Sequence, residues 1–293
     1  MNFDDDMVSV VIPTFNSEKY IYRALESVLS QTYLNFEIIV VDNNSSDKTK
    51  DIVMSFSDNR INLLNTVNNG VIAYSRNIGI KASKGKWVAF LDSDDWWLPD
   101  KLKYSVRVLK SGAKIVYHNM YIAQKERNIY LKKMKIRQVN RPVIVDLLIN
   151  GNMLPNSSVV VCRKTLNEID LLNEDREFIT YEDYDAWIRI AEVTDSFVFI
   201  SKCLGYYWSG ADNLTKTQRS LFVKNVNPNY LKYVGDNYIQ FNALIAYMDI
   251  KKLYIEKNPI SFNLIVKSLK VSSYSLKLKT IYIWIIYLAR KIK

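Results

Sequence analysis

The sequence predicts an α/β fold: a mostly parallel sheet flanked by helices, followed by a basic helical extension. Three observations lead there. β-Branched runs such as VSVVIPTF (8–15) and FEIIVVD (36–42) read as strands buried on both faces, as parallel sheets require. Between such runs, apolar residues recur at helical spacing, so strand and helix alternate as βαβ units do. From residue 216 onward the text changes to lysine-spaced helical patterns rich in Tyr, Leu and Ile.

Taken in order, 8–15 is the first strand, and Asn16 and Ser17 offer an N-cap for a helix with Ile21, Leu25, Val28 and Leu29 on one face. Residues 36–42 form the second strand. The turn NNSSD follows, then a short helix carrying Ile52, Val53 and Phe56. INLLNTV (61–67) is a third strand, Asn68-Asn69-Gly70 a turn, and VIAYSRNIGIKAS a helix. KWVAFLD (86–92) is a fourth strand. Pro99 suits the first turn of a helix bearing Leu102, Val106 and Leu109, which Gly112 stops. Beyond residue 112 the alternation loosens. KIVYHNMYIA, SSVVVCR and SFVFISKCLGYY read as strands, and DYDAWIRIAEV as a helix with Ala186, Trp187, Ile190 and Ala191 on one stripe. Residues 125–141, with seven Lys/Arg and one acid, read as a solvated hairpin or loop.

Net charge is +10, but residues 1–215 sum to −1 and residues 216–293 to +11. The boundary divides a near-neutral body, 1–215, from a basic extension, 216–293. TIYIWIIYLARKIK (280–293) has nine successive apolar residues and then Arg290, Lys291 and Lys293. A spanning helix needs about 20 apolar residues. This composition instead suits a helix lying on an anionic membrane surface, or one packed on the domain with its cations solvated. The acidic N-terminus MNFDDDMVSV has no basic segment before an apolar run, so the expected location is cytoplasmic, peripheral at the inner face of the cell membrane.

Composition also excludes classes. Cys162 and Cys203 stand apart without metal or redox spacing and read as reduced, buried thiols. His118, the one histidine, is too little for a histidine-based metal site or triad and reads as a strand-end residue. A nucleic-acid-binding extension would lack any recognised motif, and its apolar 281–289 run suits such a surface poorly. PTFNSEKY has no glycine, which argues against a nucleotidyltransferase phosphate loop after the first strand.

Ligands in open α/β sheets bind beyond the carboxyl ends of the strands. Those ends here carry PTFN, DNNSSD and DSDD, so all three should gather on one rim. Asp92, Asp94 and Asp95 lie within four residues and call for a cationic or hydrogen-bonding partner. Asp-x-Asp at a strand end can give two oxygens to Mn²⁺ or Mg²⁺, with substrate phosphates and water completing the shell. Asp42 can accept from a base N–H or a ribose hydroxyl, and Arg76 can donate to base or phosphate. Trp96 and Trp97 read as core or wall residues more readily than as a sugar platform.

VSVVIPTFNSEKYIYRALESVLSQTYLNFEIIVVDNNSSDKT, SRNIGIKASKGKWVAFLDSDDWWLPDKL and YEDYDAWIRIA, in that order, resemble the family-2 glycosyltransferases, inverting enzymes of the Rossmann-like GT-A fold. The resemblance covers roughly residues 7–210. It implies a nucleotide-sugar half over 1–112 and an acceptor half over 113–215. Pro13, Thr14, Phe15 and Glu18 match the motif lining the nucleotide pocket. Asp42 matches the base-reading aspartate and Arg76 the arginine beside it. Asp92 and Ser93 fall in the donor-binding DxD segment, with Asp94 as principal metal ligand and Asp92 near ribose and metal. Asp183 matches the catalytic base, with Glu182 beside it. The implied partners are a nucleotide-sugar donor, a lipid-linked or other glycan acceptor, and an anionic membrane surface reached through 216–293, with no nucleic acid. Two departures stand out: Asn43 replaces a frequent second Asp, and Trp208 and Ser209 stand where relatives often place Arg and His, which puts strict metal dependence in doubt. The competing reading is a non-catalytic nucleotide- or polyanion-binding protein on the same scaffold.

Overall fold

The computed structural model describes residues 6–124, 132–210, 230–255, 257–270 and 274–291. The chain divides into two compact units, one of residues 1–138 and 154–213, the other of 139–153 and 214–293.

The first unit begins with the alternation expected of βαβ units: β1 (Val8–Thr14), α1 (Ile21–Leu29), β2 (Phe36–Asp42), α2 (Thr49–Ser55), β3 (Ile61–Asn65), α3 (Ile72–Ala82) and β4 (Trp87–Phe90). These are followed by β5 (Trp96–Trp97), α4 (Lys101–Lys110), β6 (Ile115–Ala123) and β7 (Lys132–Lys133). After α5 (Val143–Asn150), which belongs to the other unit, come β8 (Val160–Cys162), α6 (Arg163–Glu168), α7 (Glu182–Val193) and β9 (Phe197–Trp208). One sheet runs in the order β3-β2-β1-β4-β8-β6-β9-β5, with β7 paired to β6. β3, β2, β1 and β4 are mutually parallel. The later half is mixed: β8 runs antiparallel to both β4 and β6, while β9 is parallel to β6.

All seven residues of β1 are buried. One face packs Val8, Val10 and Ile12 with Ile21, Leu25 and Val28 of α1 and with Leu102, Val106 and Leu109 of α4. Two local expectations are corrected. Asn16 and Ser17 do not cap α1, which starts at Ile21 without a side-chain cap. The Asn16 amide oxygen accepts instead from Ser46 N–H, and Ser17 N–H donates to Thr49 Oγ1, so both residues tie the β1 loop to the loop after β2. His118 is not at a strand end: it lies inside β6, fully buried, where the β6/β9 register shifts. Burial, then the nearby Lys101 charge, push its pKa down to about 3, so the ring is neutral.

The second unit contains α5, α8 (Leu231–Val234), α9 (Tyr238–Ile255), α10 (Phe262–Ser268) and α11 (Tyr274–Lys291). One apolar cluster of this unit joins Ile250, Ile260 and Ile265 with Ile283, Trp284 and Tyr287 of α11. The opposite stripe of α11, Leu278, Ile281, Tyr282, Ile285 and Leu288, is exposed. The expected interfacial helix thus has one packed and one bare apolar face. No helix among the described residues is long and apolar enough to cross a membrane. The expected basic hairpin lies partly outside the described residues, at 125–131.

Gly85 lets the turn before β4 press against β1. A Cβ there would come within 2.7 Å of Met7 O and Ser9 N, both backbone atoms that cannot swing aside. Gly85→Ala is therefore expected to cost ~1–3 kcal/mol, as overpacking does, read as a lowered midpoint in urea unfolding.

Candidate active site

The rim forms where expected. Parallel register sets Thr14 directly opposite Asp42, and Leu91 N–H donates to Val11 O, carrying the DSDD segment along the other side of β1. The Ser17 and Ser93 hydroxyls, 2.9 Å apart, link the β1 loop to the DSDD loop. Pro13 and Thr14 are buried, while Phe15 is exposed. Glu18 takes part in a reciprocal clip: its N–H donates to Asp47 Oδ2 at 3.0 Å and its carboxylate accepts from Lys48 N–H at 3.1 Å. Asp42 is fully buried, and both its oxygens accept from Ser45, one from the N–H at 2.9 Å and one from the hydroxyl at 2.5 Å.

Arg76 connects what the sequence keeps far apart. It sits on α3, nearly fully buried, and its guanidinium donates through Nη2 to Asp92 Oδ1 at 2.7 Å and through Nη1 to Glu182 Oε1. Burial works against that charge, but Asp92 and Glu182 more than offset it and raise the Arg76 pKa above its ordinary value. Glu182 and Asp183 open α7, so the carboxylate pair is delivered to the DSDD loop by this bridge.

The question posed by three neighbouring aspartates is answered residue by residue. Asp92 has Arg76 and also accepts from Asn156 Nδ2 at 3.0 Å. Asp95 is buried, accepts from Trp208 N–H at 2.7 Å and from the Ser157 hydroxyl; burial and the charges of Asp94 and Asp92 hold its pKa well above the usual carboxylate range. Asp94 makes no ion pair among the described residues, and burial together with Asp92 pushes its carboxyl up to about 7. Arg23 of α1 donates to the Asp94 backbone carbonyl at 2.9 Å and lies 3.6 Å above the Trp96 ring. Trp96 stacks on Tyr206 of β9, with centroids 4.8 Å apart, while Trp97 is a core residue. Trp96 thus stands in the wall and Trp97 in the core.

Among the described residues no group of three or more His, Cys, Asp or Glu side chains is disposed to hold a metal ion. Asp94 and Asp92 nonetheless fit a hard cation chemically: they offer carboxylate oxygens, and an Asp94 carboxyl raised by desolvation and by its neighbour's charge is one that a cation would return to the ionised state. Two protein carboxylates leave room for phosphate and water, the usual shell of Mg²⁺ or Mn²⁺ in phosphate sites.

Asp183 lies partly exposed in the first turn of α7, with Oδ1 accepting from Tyr184 N–H at 2.6 Å. Burial, then the Glu182 charge, raise its carboxyl to about 7, against the opposing pull of Arg76. A carboxylate with that pKa beside a rim of hydrogen-bonding groups can take a proton from a hydroxyl near neutral pH.

The family model for glycosyl transferase family 2 matches residues 9–168. The chain belongs to this family. A glucosyltransferase of Escherichia coli named UDP-Glc:alpha-D-GlcNAc-diphosphoundecaprenol beta-1,3-glucosyltransferase WfgD is 35% identical over 188 residues, 64% of this chain and 70% of that protein. Among solved structures, Staphylococcus aureus TarS 1–349 in complex with UDP-GlcNAc superposes with a TM-score of 0.59 at 20% identity, over 96% of this chain and 71% of that one. The mannosyltransferase PcManGT from Pyrobaculum calidifontis, in complex with GDP-Man and Mn²⁺, gives 0.53 at 16% identity, over 96% and 73%. The fold is that of the GT-A glycosyltransferases, as the order of the three motifs led one to expect.

For this glycosyltransferase, the departures from the family pattern acquire local jobs. Asn43 Oδ1 accepts from Asn68 N–H at 2.7 Å and so braces the turn before α3. Trp208 packs 5.8 Å from Tyr20 and 5.3 Å from the Arg23 guanidinium. Asn156, Ser157 and Arg23 went unnoticed in the sequence. Ser157 stands there as the start of the strand-like run SSVVVCR, whose first two residues the structure places instead in a 3-10 turn, Asn156–Ser158, and neither Asn156 nor Arg23 carries a local signal.

Removing Arg76 strands two carboxylates, one of them buried. Arg76→Met is expected to lower stability by ~3–5 kcal/mol, the range for breaking a buried pair, measured by urea unfolding.

Proposed function

We propose that this glycosyltransferase moves a hexosyl or N-acetylhexosaminyl group, with inversion, from a UDP-sugar to a hydroxyl of a lipid-linked glycan in bacterial surface polysaccharide (O-antigen, capsule or similar) assembly. The observation that carries the reading is the Glu182–Arg76–Asp92 bridge, which couples the donor-side DSDD loop to the carboxylate pair of α7. The printed name of WfgD, with a UDP-glucose donor and a diphosphoundecaprenol-linked acceptor, supports the substrate classes, and the UDP-GlcNAc complex of TarS supports the nucleotide.

In this reading Pro13, Thr14, Phe15, Glu18 and Asp42 line the nucleotide pocket, while Arg76, Asp92 and Ser93 orient the donor. Asp183 removes the acceptor proton as the new C–O bond forms on the face opposite the leaving diphosphate. General-base help of this kind is typically worth ~10²–10⁴-fold. Glu182, spent on Arg76, fixes the start of α7 and hence the Asp183 backbone. Asp94 and Asp92 are the side chains that would hold Mn²⁺ or Mg²⁺, which when bound supplies Lewis-acid stabilisation of the departing diphosphate. Holding donor and acceptor in line adds a further large share of the rate.

The test is sugar transfer and donor hydrolysis over a panel of UDP-, GDP- and dTDP-sugars, with Mn²⁺, Mg²⁺ or EDTA. Turnover of a UDP-sugar is expected, lost in EDTA and in Asp94→Ala, and reduced by ~10²–10⁴-fold in Asp183→Asn. Because the base acts only when deprotonated, kcat/KM should rise with pH through about 7 and level off above it. Full activity in Asp183→Asn would sink the assignment.

We assign the membrane contact to α11. Its exposed stripe of Leu278, Ile281, Tyr282, Ile285 and Leu288 lies in a segment of net charge +11, the pairing of apolar face and cations that anionic bilayers bind. The enzyme would then work peripherally at the inner face of the cell membrane. Co-sedimentation should show binding to phosphatidylglycerol vesicles and weak binding to neutral ones. The double variant Ile281→Asn and Ile285→Asn should weaken the former by ~10-fold or more with the melting temperature unchanged. Equal binding of variant and wild type would remove this surface from consideration.

A further inference from the structure

A carboxylate offers about four lone-pair sites, two on each oxygen. Asp92 Oδ1 already accepts two donors, Arg76 Nη2 at 2.7 Å and Asn156 Nδ2 at 3.0 Å. That oxygen is saturated, so only Oδ2 retains free acceptor capacity. Arg76 is held on its far side by Glu182, so it reaches Asp92 from a fixed direction. Asn156 arrives from an unrelated part of the chain, the short 3-10 turn Asn156–Ser158 ahead of β8.

The turn is itself rigidly seated. The core residue Trp97 donates through Nε1 to Ser157 O at 2.7 Å, and Ser157 Oγ accepts from Asp92 N–H at 3.1 Å. Backbone and carboxylate of Asp92 are thus gripped by adjacent residues of one turn. The amide orientation of Asn156 is dictated, because its oxygen facing a carboxylate oxygen would be repulsive. Its own Oδ1 is buried and has no hydrogen-bond partner among the described residues. A buried amide with an unsatisfied oxygen costs free energy, and a leucine would avoid that cost. The donation to Asp92 is the one return that the geometry offers for it.

We propose that Asn156 is a positioning residue of the donor site: with Arg76 it saturates Asp92 Oδ1 and so presents Oδ2 as the oxygen of Asp92 that meets the divalent cation and the nucleotide. The proposal rests on the reading of Asp92 and Asp94 as the cation-holding pair. Without Asn156 the carboxylate can turn about its Cβ–Cγ bond, and the ligand must then select one orientation from several. Partners that orient a metal-binding side chain are commonly worth ~10–100-fold in metal affinity.

The experiment measures Mn²⁺ alone by EPR of the free ion, and UDP in the presence of Mn²⁺ by calorimetry. Its proteins are wild type, Asn156→Leu, Asn156→Ser, Ser158→Ala and Asp94→Ala. Among the described residues the Ser158 hydroxyl donates to Pro155 O alone, so its variant disturbs the same turn without touching Asp92. Expected are a ~10–100-fold weaker Mn²⁺ affinity in Asn156→Leu, partial recovery in Asn156→Ser through its hydroxyl donor, and wild-type affinity in Ser158→Ala. UDP binding in Asn156→Leu should recover as Mn²⁺ is raised, which a loosened fold would not do. Melting temperatures separate folding from binding, and the serine variant reads the same quantity should the leucine variant not fold. Affinity in Asn156→Leu within about twofold of wild type, or an equal loss in Ser158→Ala, overturns the proposal. Unchanged Mn²⁺ binding in Asp94→Ala overturns the underlying reading of the pair instead.

Discussion

The arrangement depends on one buried cation. Arg76 reaches Asp92 with one amino group and Glu182 with the other, and so joins the parallel half of the sheet to the start of α7. An arginine suits this place because its planar fork donates in two directions at once and stays charged under burial. A lysine could meet one carboxylate well, or both poorly. The bridge is also an electrostatic necessity: Asp92, Glu182 and Asp183 repel one another, and the guanidinium is the charge that lets them share a small volume.

Around that bridge the three aspartates of the DSDD loop have been sorted by their partners. Asp92 is neutralised and aimed, and Asp95 is buried on hydrogen bonds from Trp208 and Ser157. Asp94 is left with a raised carboxyl, which a backbone hydrogen bond and the Arg23 charge offset only in part. The supporting contacts come from Trp97 and Ser157, joined by a buried hydrogen bond, and from Arg23, held by the cation–π contact of its guanidinium with the Trp96 ring.

The second unit obeys different physics. Its buried apolar residues come from α5, α9 and α10, among them Leu147, Leu148, Ala243, Ala246, Ile250 and Ile265, and α11 turns Ile283, Trp284 and Tyr287 inward while leaving Ile281, Tyr282 and Ile285 bare. A helix that is apolar on both sides satisfies only one of them by packing. The remaining stripe, in a segment with so many cations, explains why the strong positive charge and the hydrophobicity occur together in this part of the chain.

By itself the sequence determined the βαβ half, the three rim motifs and their order. Local patterns suffice for these, since burial on both faces writes itself as β-branched runs and each motif is contiguous. Tertiary structure decided the rest. Whether Asn16 caps a helix or ties two loops depends on a neighbour thirty residues away, at Ser46. The mixed half of the sheet was illegible because β8 is three residues long and reads the same in either direction. Arg76 was legible as a donor, but its two acceptors are 16 and 106 residues distant. Asn156 carried no signal at all: an amide in a turn gains meaning only when folding sets a carboxylate oxygen 3.0 Å from it.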